Sequence, residues 1–158
     1  ILAVYIAGNF ERGHNDRPNV AITTVESNLL GLGVDLQMPG FRFFKLNAYY
    51  RDTRTEFLTN GAQVRAGSTY QVTLSAAAPF QIAEQSFLID GFVDYAGEEG
   101  AAEAWLLSAI QAKWDVGKPL FTQANRLFIG IEQQIWRNKL GRDGVNENVT
   151  QFLLKAHF

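Results

Sequence analysis

Along almost the whole chain apolar residues recur at every second position, with polar or small residues between them. Side chains of a β-strand point to opposite faces in turn, so a period of two dictates strands with one apolar and one polar face. The closing stretch is the clearest case. Counting back in twos from Phe158 gives Ala156, Leu154 and Phe152, whereas His157, Lys155, Leu153 and Gln151 occupy the other register. An alternating strand that stops on an aromatic residue is the pattern of the last strand of a bacterial outer-membrane barrel, and an ordinary sheet strand is the plain alternative.

The alternation continues upstream. Leu2, Val4, Ile6 and Phe10 oppose Ala3, Tyr5, Ala7 and Asn9; Leu30, Leu32, Val34 and Leu36 oppose Ser27, Gly31, Gly33 and Asp35. Phe44, Leu46, Ala48 and Tyr50 oppose Lys45, Asn47, Tyr49 and Arg51, and Tyr70, Val72, Leu74 and Ala76 oppose Gln71, Thr73, Ser75 and Ala77. Phe87, Ile89, Val93 and Tyr95 then face away from Leu88, Asp90, Phe92 and Asp94. Trp105 to Trp114 reads as a further strand, although the alanines between Gly100 and Ala112 also suit a helix. Finally, Leu127, Ile129, Ile131 and Ile135 oppose Phe128, Gly130, Glu132, Gln134 and Trp136.

Between these runs lie turn-forming residues: Arg12 to Asn19, Met38-Pro39-Gly40, a polar stretch holding Asn60-Gly61 and Gly67, Pro79, the acidic segment around Gly97 and Gly100, Gly117 with Pro119, and Asn138 to Asn146. Pro79 is expected to end its strand, and every proline to fall in a turn. The result is one all-β domain over residues 1–158, an antiparallel up-and-down meander of about eight strands.

A chain of 158 residues is long enough for a barrel. Mean hydropathy is -0.08 although 13% of residues are aromatic, so apolar residues are interleaved and no run approaches the ~20 that a membrane helix needs. Strands need only about 9–11 alternating residues each to cross. A formal charge of -2 and a pI near 5.7 give no basic surplus for nucleic acid. Cysteine is absent, which excludes disulfides and thiolate metal sites.

Alternation fits two inversions equally. In a soluble barrel the apolar face points inward; in a membrane barrel it faces lipid and the polar face lines the lumen. Phe10, Tyr50, Phe87, Tyr95 and Trp114 on the apolar face suit interfacial girdles and favour the second. An eight-stranded ring has a bore that side chains just fill. Ala3, Ala7, Gly31, Gly33, Ser75, Ala77, Ala109 and Gly130 on the polar face fill it poorly, so either the ring is wider or it encloses a ligand.

Two segments carry a family likeness. Leu30-Gly31-Leu32-Gly33-Val34-Asp35, the turn Met38-Pro39-Gly40 and Lys45-Leu46-Asn47-Ala48-Tyr49-Tyr50 together resemble a strand-turn-strand segment of the Tsx-like nucleoside-specific channels. The stretch Gly130 to Gly141, with Glu132, Trp136, Asn138 and Lys139 in the order Gly-x-Glu-x-x-x-Trp-x-Asn-Lys-x-Gly, and the final Phe158 are similar to the end of the OmpK-like branch; Gly91-Phe92 also fits.

The resemblance implies a monomeric outer-membrane barrel of about twelve strands that passes nucleosides passively, with four strands and a signal peptide preceding Ile1. It also implies that Phe158, with Phe152, Leu154 and Ala156, is the signal read by the barrel assembly machinery. Partners would then be outer-membrane lipid and a nucleoside-like solute, with no cofactor.

Stacking a base and bonding its edges needs aromatic faces with amides or charges. Tyr49, Phe92 and Trp136 supply the first on the polar face, and Lys45, Asn47, Arg51, Asp90, Asp94, Glu132 and Gln134 the second. Glu132 has a simpler reading, neutralising a lumen base. No catalytic arrangement stands out: His14 and His157 lack metal-ligand spacing, Asp90 with Asp94 is accounted for by a solvated face, and Gly31-Leu32-Gly33 lies within a strand rather than opening a helix. Two alternatives stay open beside the channel: a soluble β-barrel binding a small apolar ligand, and a non-conducting outer-membrane barrel serving as anchor or receptor.

Overall fold

The computed structural model describes residues 1–14, 22–57 and 63–157. Its strands are β1 (Ala3–His14), β2 (Ile22–Asp35), β3 (Phe43–Phe57), β4 (Gln63–Ile82), β5 (Gln85–Ala96), β6 (Trp105–Asp115), β7 (Leu127–Arg137) and β8 (Glu147–Ala156). They form one antiparallel sheet in sequence order, with β1 and β8 at its edges. A short helix α1 (Gly117–Phe121) lies between β6 and β7, and a 3-10 turn (Lys139–Gly141) between β7 and β8.

The register holds each strand's two faces in step across all seven pairings, and it leaves one polar cluster on the apolar side, where Gln133 opposite Ile110 bonds Asn148 and Thr150. Tyr5, Gly33, Asn47 and Thr73 lie side by side on one face, and Leu30, Tyr50 and Tyr70 on the other. Substantial contacts join neighbouring strands, apart from β1 with β3 and the 3-10 turn with β6, so the sheet is a single layer. The segment from Trp105 is a strand throughout, because its alternation places Leu106, Ile110 and Trp114 with the apolar residues of β5 and β7.

Burial is inverted relative to a soluble sheet. Ile6, Leu30 and Phe152 of the apolar face are 79%, 65% and 75% exposed, whereas Arg51, Gln71 and Lys113 of the polar face are 8%, 2% and 3% exposed. With no second layer over it, the polar face owes this burial to the packing of its own side chains and to Glu99 of the β5–β6 connection, which reaches across it; it is called the inner face below.

Two expectations are corrected. Pro79 does not end its strand: β4 runs on to Ile82, with Pro79 opposite Leu88. Ala77 directs its carbonyl to Arg42 on the β3 side, so Pro79, two residues on, also faces that side. The β3 ladder begins at Phe43 opposite Ala77, so no ladder bond is lost where the proline lacks its N–H.

Gly67 likewise lies inside β4 rather than in a loop. The register shifts between Thr53 and Arg54, leaving Ala66 as the extra residue of a bulge beside Gly67. Of the other prolines, Pro39 sits in a turn and Pro119 in the first turn of α1, where its missing N–H has no helical acceptor to lose; Pro18 and the Asn60-Gly61 pair lie outside the described residues.

The connections β1–β2, β3–β4, β5–β6 and β7–β8 share one rim, called the upper rim below, and the remaining three share the lower rim. The tightest is Ala83-Glu84, whose φ angles of 45° and 67° make a two-residue turn of the mirror-image type that matches strand twist. Beside it, buried Asp115 holds the α1 connection, accepting from Gly117 N at 3.1 Å and Asn125 N at 2.7 Å.

Candidate functional site: the inner polar face

All ten residues expected to line a lumen lie on the inner face. They fall into three groups rather than one.

The first group, toward the upper rim, is centred on Arg51. One Nη donates to Glu11 Oε2 at 2.7 Å and Gln71 Oε1 at 2.8 Å, and the other to Ser27 Oγ at 2.8 Å. Arg51 Nε stands 3.5 Å from Glu99 Oε2, which also accepts from Thr53 Oγ1 at 2.8 Å. Glu99 comes from the β5–β6 connection. It reaches the face because Gly67 and Gly100 let two backbones touch: a Cβ on Gly67 would lie 2.8 Å from Gly100 N, and one on Gly100 would collide with Ala66 O. The guanidinium carbon lies 5.5 Å from the Trp105 ring centroid, Trp105 stacks obliquely on Trp136 at 5.7 Å, and Lys139 Nζ sits 5.5 Å from the Trp136 ring. Lys139 also binds Glu147 at 2.6 Å. Cations thus bracket an aromatic pair.

Asn138 braces this rim. Its Nδ2 donates to Ala104 O at 2.9 Å, and its Oδ1 accepts from Gly144 N at 3.2 Å, tying the β7–β8 connection to the β5–β6 connection.

The second group lies at mid-height. The Tyr5 hydroxyl donates to Asn47 Oδ1 at 2.8 Å, passing over β2 where Gly33 has no side chain to obstruct the ring. Asp94 accepts from Thr73 Oγ1 at 2.6 Å. Tyr49 and Phe92 are half-buried on the same face, and Gln134 beside Ala109 is half-buried too. Lys45 stands 3.6 Å from Asp35.

The third group faces the lower rim. Lys113, almost wholly buried, donates to Asp90 Oδ2 at 2.6 Å and to Gln111 Oε1 at 3.0 Å, while Gln111 Nε2 donates to Glu132 Oε2 at 2.6 Å. Glu132 therefore meets an amide rather than a base.

Phe152, Leu154 and Ala156 lie on the exposed apolar face of β8, and Phe158 lies outside the described residues. Sequence reasoning missed Glu11, Trp105, Lys113 and Glu99 as members of these groups. The first three share the parity of the polar face and were legible from it; Glu99 sits in a connection without periodicity and is placed by the Gly67–Gly100 approach.

Among the described residues no helix is long and apolar enough to cross a membrane, and no group of three His, Asp or Glu is placed to hold a metal. No family model, curated protein or solved structure matches the chain.

Proposed function

We propose that the chain is a β-barrel channel of the bacterial outer membrane, through which nucleosides or polar solutes of similar size diffuse passively. The observation that carries this reading is the inversion of burial: a mostly apolar face, broken by the Gln133–Asn148–Thr150 cluster, is exposed while the polar side chains of the central strands are buried. In water that face is a large unpartnered apolar patch, whereas in a bilayer it is the solvated one. Its aromatic residues add support. Phe10, Tyr50, Tyr70 and Tyr95 form a row toward the upper rim, and Phe44, Phe80, Phe87 and Trp114 another toward the lower, with Phe80–Phe87 and Phe87–Trp114 stacked at 5.3 and 6.4 Å. From Phe87 to Tyr95 along β5 is about 26 Å at ~3.3 Å per residue, and from Tyr70 to Phe80 along β4 about 33 Å. With strands tilted by roughly 40°, the rows stand about 20–25 Å apart, close to the ~25 Å apolar band of membrane barrels.

The nucleoside part of the reading rests on the family resemblance of the segments around Gly31, Asn47 and Trp136. The Trp105–Trp136 pair, bracketed by Arg51 and Lys139, offers a surface on which a base can stack. The side chains buried on the sheet are mainly polar ones, which weighs against a soluble barrel holding an apolar ligand. Planar-bilayer recording is the test. Steady currents reduced by added nucleoside, with the block weakened in Trp105→Ala/Trp136→Ala, are expected. Currents insensitive to nucleosides overturn the solute, and a refolded protein that never conducts points to the anchor or receptor reading instead.

A further inference from the structure

Charge on the inner face is unevenly matched. Arg51 is bound to Glu11 and Glu99, Lys113 to Asp90, Lys45 stands beside Asp35, and Lys139 beside Glu147. Lys155 stands exposed on the edge strand at the lower rim, opposite Phe128, and Arg42 stands exposed at the same rim beside Leu88, Asp115 and Phe128. Asp94 and Glu132 receive their bonds from Thr73 Oγ1 and Gln111 Nε2, and no base among the described residues lies in ion-pair contact with either. Leftover bonding capacity has the same sign. Among the described residues, the buried side-chain atoms without a hydrogen bond are Asp35 Oδ1, Asp90 Oδ1, Glu99 Oε1 and Arg51 Nε; Arg51 Nε lies 3.5 Å from Glu99 and Asp35 Oδ1 3.6 Å from Lys45 Nζ, which leaves Asp90 Oδ1 and Glu99 Oε1. Both are carboxylate oxygens.

From this the structure assigns a selectivity. The inner face admits cations and cationic, donor-rich solutes in preference to anions, with Asp94 and Glu132 as the specificity-determining residues. A carboxylate without an ion-pair partner in a confined passage with low-dielectric walls concentrates cations beside it and raises the barrier to anions. This inference rests on the pore reading above and sharpens it.

Two measurements separate the inference from that reading. In planar bilayers under a KCl gradient, the reversal potential should show a potassium-to-chloride permeability ratio above unity. Asp94→Asn/Glu132→Gln, which keeps both hydrogen-bonding groups, should bring the ratio to near unity. A wild-type ratio at or below unity, or a double variant with an unchanged ratio, overturns the assignment.

If no current is seen the pore reading falls, and quenching decides the charge question alone. In refolded Trp114→Phe protein, emission comes from Trp105 and Trp136 on the inner face. Caesium should quench it more strongly relative to iodide than in the same protein carrying Asp94→Asn/Glu132→Gln, a comparison in which the contribution of Arg51 and Lys139 beside the two rings cancels. Equal or reversed ratios refute the acidic bias.

Discussion

Arg51 shows most clearly how single residues hold this sheet. Its guanidinium gathers side chains from β1, β2, β4 and the β5–β6 connection, and it is only 8% exposed. Removing one partner of a buried ion pair strands the other, so Arg51→Met should lower unfolding stability by about 3–5 kcal/mol. The double variant Arg51→Met/Glu99→Gln should regain more than half of the loss, because Glu99 no longer carries an unpaired charge; urea titrations in detergent or lipid, followed by tryptophan emission, measure both. Tyr5→Phe, which removes the single bond to Asn47, should cost about 1 kcal/mol in the same assay. At this scale the sequence was partly legible. Parity alone put Arg51, Asp90, Asp94 and Glu132 on one face, because a strand's side chains alternate whatever surrounds it. Parity says nothing of height along the strand or of partners, so the three separate groups, and Lys113 as the base that binds Asp90, required the register.

Elements were legible where alternation was unbroken and less so at their ends. The strand at Trp105–Asp115 was ambiguous with a helix because alanine favours helices locally, and the ladders to β5 and β7 decide the matter. Pro79 and Gly67 were read as breakers from residue type, yet a breaker acts only where the neighbouring strand needs the missing group. Pro79 meets no β3 ladder, and Gly67 serves a bulge and a close approach. The Ala83-Glu84 turn holds two non-glycine residues in the left-handed region, which costs roughly 1–2 kcal/mol per residue. Replacing the pair by Asn-Gly, the residues this turn type favours, should therefore stabilise the protein by about 1 kcal/mol, read as a higher urea midpoint without a change in slope.

For the molecule as a whole the question is what solvent the apolar face meets. Ile110 sits on that face midway between Trp114 and Leu106, and 43% of it is exposed. In lipid, Ile110→Arg at mid-band should destabilise by about 2–4 kcal/mol. If water were the solvent, the same exposed change would shift stability by no more than about 0.5 kcal/mol, so paired measurements in liposomes distinguish the two settings. The edges carry a consequence of their own. β1 runs from the lower rim to the upper and β8 from the upper to the lower, since eight strands alternate direction. Any antiparallel ring containing this sheet must therefore add strands in even number, nought, two or four, because an odd insertion would place two neighbours parallel. Parity of direction thus limits closure to β8 meeting β1 itself or to whole hairpins set between them, and a ring of twelve obeys that arithmetic while one of eleven does not.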